Sequence, residues 1–162
     1  MPDHDTAGLD AKVLTVSDGV IHGTREDKSG VALADLLAEH GYTIVEQRVV
    51  ADGVENVSEA LTEMAADFSG VVVTTGGTGF GPRDLTPEAT RLVLEREAPG
   101  ISEAMRLVNP LGRLSRAVAG TRGLALIVNA PGSPKGAVET VTAVIDVLPH
   151  AVRLMAAAPT DH

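Results

Sequence analysis

Short apolar runs at residues 13–16, 71–73 and 124–128 stand out along the chain. They are rich in branched side chains and do not alternate with polar residues, the pattern of strands covered on both faces, so they read as central parallel strands. Between them apolar positions recur at helical spacing: Leu33, Leu36 and Leu37; then Val57, Ala60, Leu61, Met64 and Phe68; later Val138, Val141, Ile145 and Leu148. Residues 43–50 alternate in part, which suits a strand nearer a sheet edge, and Gly41 before them suits the C′ position of a helix. Thr86 followed by Pro87 reads as N-cap and first helical residue of a helix running toward Glu97, broken by Pro99 and Gly100. Residues 101–108 resume a helical pattern, and Pro110 and Gly112 interrupt again ahead of residues 114–119.

Alternating strands and helices predict an α/β fold, a three-layer α/β/α sandwich with a mostly parallel central sheet and right-handed crossovers. No internal repeat or linker divides the chain, so a polar tail at residues 1–11, one domain at 12–158 and a short tail at 159–162 are expected. In such sheets ligands bind beyond the carboxyl ends of the strands. Three long or glycine-rich segments fall there: residues 17–30, 74–85 and 129–136.

Charge narrows the choice of ligand. Thirteen Lys and Arg against 22 Asp and Glu leave a formal charge of −9, which repels a phosphate backbone, and one Tyr, two Phe and no Trp provide no stacking platform for bases. Nucleic acid is therefore not expected as a partner. Nor is a membrane, since no apolar run approaches the ~20 residues that cross a bilayer. Residues 1–10 are acidic and polar, unlike a secretory signal, and the absence of cysteine excludes disulfides and thiolate metal sites. A cytoplasmic protein is expected. An anionic ligand must then be met by backbone N–H groups, helix N-termini, single Lys or Arg residues, or a divalent cation.

The densest signal is T-T-G-G-T-G-F-G-P-R-D-L-T-P at residues 74–87, leading from a buried strand into a helix. Its glycines allow positive φ and bring N–H groups close to a ligand, and the hydroxyls of Thr75 and Thr78 add donors. A plain glycine-rich turn is the competing reading. Asp84 favours binding, because an acid at the rim of an anion-binding loop is repelled by its ligand unless a cation bridges them. Glycines at 77, 79 and 81 do not make G-x-G-x-x-G, and no G-x-x-x-x-G-K-[ST] occurs, so Rossmann and P-loop sites are not expected. The histidines at 4, 22, 40, 150 and 162 lack metal-ligand spacing, and His40 beside Gly41 fits a helix C-terminus.

T-T-G-G-T-G followed by R-D-x-T-P-E-A-T resembles the signature of the MogA/MoaB molybdopterin-binding family. Val16-Ser17-Asp18 with Gly23, Asp27, Ser29 and Gly30 resembles its opening loop; Leu114-Ser115-Arg116-Ala117 and Asn129-Ala130-Pro131-Gly132-Ser133-Pro134 resemble its later segments. The likeness spans residues 12–154. It implies the molybdopterin-binding fold and a homotrimer. In adenylyltransferase members it further implies transfer of AMP from ATP to the phosphate of molybdopterin, with pyrophosphate released and the product used by a molybdate-inserting enzyme. The two acids on which those members depend match Asp84 and Asp52, the latter flanked by Ala51 and Gly53 where many relatives show Pro and Glu.

On this resemblance Asp52 and Asp84 are the catalytic pair and hold Mg²⁺, since two polyanions repel until a cation lies between them. Each has a plainer alternative: Asp52 as an N-cap with Glu55 at N3, Asp84 as a surface ion pair with Arg83. Asp18 and Asp27 stand between metal or ribose contacts and simple turn chemistry. Ser17, Thr78 and Ser133 are expected to donate hydrogen bonds to the pterin or phosphates, with Thr75, Gly76, Gly77, Gly79, Pro131 and Gly132 beside them; Ser29 is expected to cap the helix that follows it. Arg83 or Lys135 either neutralises phosphate or is a solvated cation. Two rival functions keep the same fold: a non-catalytic molybdopterin carrier, and hydrolysis of a dinucleotide or pyrophosphate as in domains of the competence-damage type.

Overall fold

The computed structural model describes residues 9–157. β1 (Asp10–Val16) leads through the one-turn α1 (Asp18–Ile21) to α2 (Lys28–Glu39), β2 (Thr43–Val50), α3 (Val54–Ala65) and β3 (Gly70–Thr75). There follow α4 (Thr86–Val93), the two-residue β4 (Arg96–Glu97), α5 (Pro99–Arg106), a 3₁₀ turn (Pro110–Leu114), β5 (Ala119–Arg122), β6 (Ala125–Ala130), α6 (Pro134–Thr142) and α7 (Leu148–Met155). The described strands form one sheet in the order β2-β1-β3-β6-β5-β4. The first four are parallel, β5 runs antiparallel to β6 and β4 antiparallel to β5, so the sheet is mixed but mostly parallel as expected.

The continuous apolar runs follow from burial on both faces. Val71 and Val73 of β3 pack in one cluster with Leu33 and Leu37 of α2, Val141 of α6 and Leu148 of α7. Val72 between them packs in the other with Leu61 and Met64 of α3 and Ala89 of α4. A strand covered twice has no position left for an exposed polar residue, and each such Val or Leu contributes about 1.5–3 kcal/mol relative to exposure. β2, at the sheet edge, alternates exposed and half-buried positions instead. Asn129 of β6 joins several buried threonines inside: its Oδ1 accepts from Val118 N at 3.1 Å, and its Nδ2 donates to Thr74 Oγ1 at 3.0 Å and Thr90 Oγ1 at 3.1 Å. The amide thus joins β3, β6 and α4 with its polar atoms paired.

Several local expectations are corrected. β1 opens at Asp10, inside the expected tail, because Asp10 pairs with both neighbouring strands and Ala11 is buried; residues 1–8 and the expected tail at 159–162 lie outside the described residues. The helix after Pro87 stops at Val93 rather than near Glu97, since Arg96 and Glu97 are drawn into antiparallel pairing with Thr121 and Gly120. Pro99 opens α5, in the first-turn position that tolerates its missing N–H. The stripe from Val138 to Leu148 is shared between α6 and α7, although Val141, Ile145 and Leu148 still meet in one core. Leu85, not Thr86, is the cap residue of α4, because Leu85 O accepts the first helical bond, from Ala89 N at 3.0 Å. Ser29 is buried within α2, and Asp27 caps that helix. Among the described residues no helix is long and apolar enough to cross a membrane.

Candidate active site

β1, β3 and β6 end side by side, with Thr15 opposite Thr75 and Thr75 opposite Ala130, so the loops that follow them share one end of the sheet. They enclose a cleft of about 920 Å³. Ser17, Asp52, Thr75, Gly76, Gly77, Thr78, Gly79, Asp84, Pro131, Gly132 and Ser133 line it; Asp18, Asp27 and Arg83 stand outside its lining. Lys135 is exposed and reaches Glu139 at 3.8 Å.

The floor is the glycine loop. Gly76 and Gly77 adopt φ of +105° and +69°, and a Cβ would lie 2.2 Å from Val16 O at the first and 2.3 Å from Thr86 Oγ1 at the second. Only glycine fits either position. Thr75, expected to offer its hydroxyl to a ligand, donates it to Pro131 O at 2.7 Å and so ties this loop to the one after β6. Ser17 and Ser133 cap α1 and α6, accepting from Val20 N at 3.2 Å and Gly136 N at 3.0 Å. Each role uses a lone pair and leaves the hydroxyl proton to be donated.

Asp52 is not a helix cap: Gly53 takes that position and no side chain bonds there. Instead its Oδ2 accepts from Asp18 N at 2.9 Å, while Asp52 N donates to Asp18 Oδ1 at 3.1 Å. Arg83 does not pair with its neighbour Asp84. It forks onto Asp18, Nε to Oδ2 at 2.6 Å and Nη2 to Oδ1 at 3.1 Å, and Nη2 also reaches Asp52 O at 2.8 Å. The Arg83 hydrogen bonds hold the Asp18 carboxyl below its ordinary range. Burial, then the charges of Asp18 and Asp84, push the Asp52 carboxyl above its ordinary range, against the Asp18 N–H bond that favours the anion. Asp27 bonds Gly30 N at 3.0 Å and Thr15 Oγ1 at 2.9 Å, the turn chemistry that was one of its two readings.

Asp84 closes its own turn, Oδ2 accepting from Gly81 N at 2.8 Å and its N donating to Gly81 O at 3.0 Å. Among the described residues, neither Asp52 Oδ1 nor Asp84 Oδ1 accepts a hydrogen bond. No three His, Cys, Asp or Glu of those residues converge on one point. Two carboxylates facing one cleft with free oxygens fit a hard cation that takes its remaining ligands from phosphate and water, which is how Mg²⁺ is usually held.

Three cations of this neighbourhood escaped the sequence reading. Arg25 and Lys28 line the cleft from the loop before α2 and the start of that helix. Arg116, quoted above only as part of a motif, clamps the glycine loop: Nε donates to Gly79 O at 2.8 Å, Nη1 to Glu88 Oε2 at 2.6 Å, Nη2 to Asp84 O, and Arg116 N to Thr78 O at 3.0 Å. Its place in L-S-R-A was the available signal, but the partners lie far away in sequence.

A family model described as a probable molybdopterin binding domain matches residues 12–150. The chain is 39% identical over 150 residues to a molybdopterin adenylyltransferase of Helicobacter pylori strain J99, covering 88% of this chain and 85% of that one. It is 38% identical over 141 residues to the molybdopterin adenylyltransferase of Escherichia coli strain K12, covering 83% and 72%. Its fold superposes on the molybdopterin biosynthesis enzyme MoaB from Thermus thermophilus with a TM-score of 0.87 at 44% identity, covering 93% of this chain and 98% of that one.

Proposed function

Because this chain belongs to the probable molybdopterin binding domain family, we propose that it is a cytoplasmic molybdopterin adenylyltransferase. An oxygen of the molybdopterin phosphate attacks the α-phosphorus of ATP, the bond to the β-phosphate bridge breaks, and adenylylated molybdopterin and pyrophosphate leave. The observation that carries this reading is the placement of Asp52 and Asp84 on one cleft with the glycine loop. In this reading they hold Mg²⁺, which offsets the mutual repulsion of the two phosphate groups. The backbone of Gly76–Gly79, the hydroxyls of Ser17 and Ser133 and the cations Arg25 and Lys28 bind and orient the anionic substrates.

Two further parts of the proposal concern assembly. A homotrimer would cover Leu92, Leu107 and Leu111, which are 70%, 85% and 72% exposed, and light scattering at micromolar concentration reads the mass. The product would pass to a molybdate-inserting enzyme. The decisive experiment mixes protein, molybdopterin, ATP and Mg²⁺ anaerobically and follows pyrophosphate with the mass of the pterin product. Equal amounts of pyrophosphate and adenylylated molybdopterin are expected. Tight molybdopterin binding with neither product would make this a carrier and return Asp52 and Asp84 to structural roles.

A further inference from the structure

Residue type alone leaves Arg83 as a phosphate neutraliser or a solvated cation, and the structure makes it neither. It stands outside the lining of the cleft, and its guanidinium is engaged at three points. Nε and Nη2 fork onto Oδ2 and Oδ1 of Asp18 at 2.6 and 3.1 Å, and Nη2 also donates to Asp52 O at 2.8 Å. Asp18 in turn grips Asp52 twice: Asp18 N donates to Asp52 Oδ2 at 2.9 Å, and Asp52 N donates to Asp18 Oδ1 at 3.1 Å. The N, O and Oδ2 of Asp52 are thus all held by residues 31 and 34 positions away in sequence. Its Oδ1 accepts nothing among the described residues, and Asp52 lines the cleft. Arg83 immediately precedes Asp84, so one residue ties the turn that carries Asp52 to the loop that carries the second acid. The side chains of Arg83 and Asp18 are 61% and 32% exposed, so as an ion pair they add little to global stability. A bidentate fork with a third bond to a backbone carbonyl fixes direction instead.

We infer that Arg83 is a positioning residue for Asp52: acting through Asp18, it sets the orientation of the Asp52 carboxylate and its distance from Asp84, and it does not bind substrate. What the two acids are positioned to do rests on the adenylyltransferase reading; the hold of Arg83 on Asp52 does not.

Arg83→Gln removes the fork and the charge, and Arg83→Lys keeps the charge without the fork. In both, kcat is expected to fall about 10- to 100-fold, as for a reacting group displaced by up to about 1 Å. KM for ATP and for molybdopterin should stay within about twofold, and the unfolding midpoint within about 4 °C of the wild type. Asp18→Ala removes the intermediate residue, so adding Arg83→Gln to it should slow turnover by no more than about another twofold. A raised KM at unchanged kcat would make Arg83 a substrate ligand, and wild-type kcat in Arg83→Lys would reduce its role to charge. Defects that multiply in the double variant would separate Arg83 from Asp18. Each of these three results overturns the inference. A second readout needs no turnover: amide hydrogen exchange at Asp18 and Asp52 is expected to quicken about 3- to 10-fold in Arg83→Gln, the loosening of one hydrogen bond, and by more than at Val71, Val72 and Val73. Exchange at Asp52 as slow as in the wild type overturns the inference as well. A wild-type chain that releases no pyrophosphate removes the adenylyltransferase reading instead, while exchange still decides whether Arg83 holds Asp52.

Discussion

Arg116→Met keeps much of the aliphatic stem and deletes a guanidinium that bonds Gly79 O at 2.8 Å, Glu88 Oε2 at 2.6 Å and Asp84 O. A hydrogen bond between neutral groups contributes about 0.5–1.5 kcal/mol net and one to a charged group about 1.5–3 kcal/mol. The Arg116 and Glu88 side chains are 32% and 43% exposed, so solvent screening places each contribution at its lower end. All three donors sit on the charged guanidinium, so at about 1.5 kcal/mol each the three together amount to about 4–5 kcal/mol, which for a chain of this size lowers the unfolding midpoint by about 8–20 °C. The damage is local as well as global, since Asp84 would be left with only its own Gly81 turn to hold it. A shift of about 1 Å in a reacting group costs on the order of 100-fold in rate. Urea unfolding followed by circular dichroism gives the first quantity, and pyrophosphate release at saturating substrates gives the second. Loss of stability on this scale with wild-type kcat would show that Asp84 is not positioned through Arg116. An unchanged midpoint would refute the energetic reasoning itself.

Asp84→Asn should abolish turnover while molybdopterin affinity, measured by calorimetry, stays within about threefold, because the acid is proposed to meet the cation rather than the pterin; undiminished turnover removes it from the mechanism. Asp52→Asn should also stop turnover yet raise the unfolding midpoint at neutral pH. Its carboxyl is raised by burial and by the Asp18 and Asp84 charges, so the native state binds that proton more tightly than the unfolded chain does, and stability falls as pH climbs above the ordinary value of 3.8. The gain in the Asn variant should therefore vanish below about pH 4, and a lower midpoint at pH 7 would contradict the assignment. Gly77→Ala should cost more than about 1 kcal/mol, because φ is +69° and the new Cβ meets Thr86 Oγ1 at 2.3 Å; a thermal midpoint equal to wild type would show that the loop yields without strain.

The site was legible to the extent that it is local. The residues from Thr75 to Gly79 are contiguous, Gly76 and Gly77 among them adopt the positive φ that glycines announce, and the buried strand before them places the loop at a carboxyl end. Single residues were harder to assign because Ser, Thr and Asp serve equally as caps and as ligands. Asp27 rather than Ser29 caps α2 since Thr15, on a strand, helps to hold the Asp27 carboxylate in place. Arg83 pairs with Asp18 instead of its neighbour Asp84, across 65 residues of sequence.

The sequence by itself determined the parallel centre of the sheet, the edge placement of β2 and the glycine loop, because burial on two faces and positive φ leave marks on the residues concerned. The β4–β5 pairing left no such mark: Arg96 and Glu97 are both exposed, and their partners Thr121 and Gly120 carry no periodicity that points to them. Tertiary structure alone brought Asp18 against Asp52 across 34 residues and set Arg116 over the loop. A charged side chain adopts whichever partner folding brings within hydrogen-bond reach, and that distance is decided by how the layers pack rather than by the residues beside it in the chain.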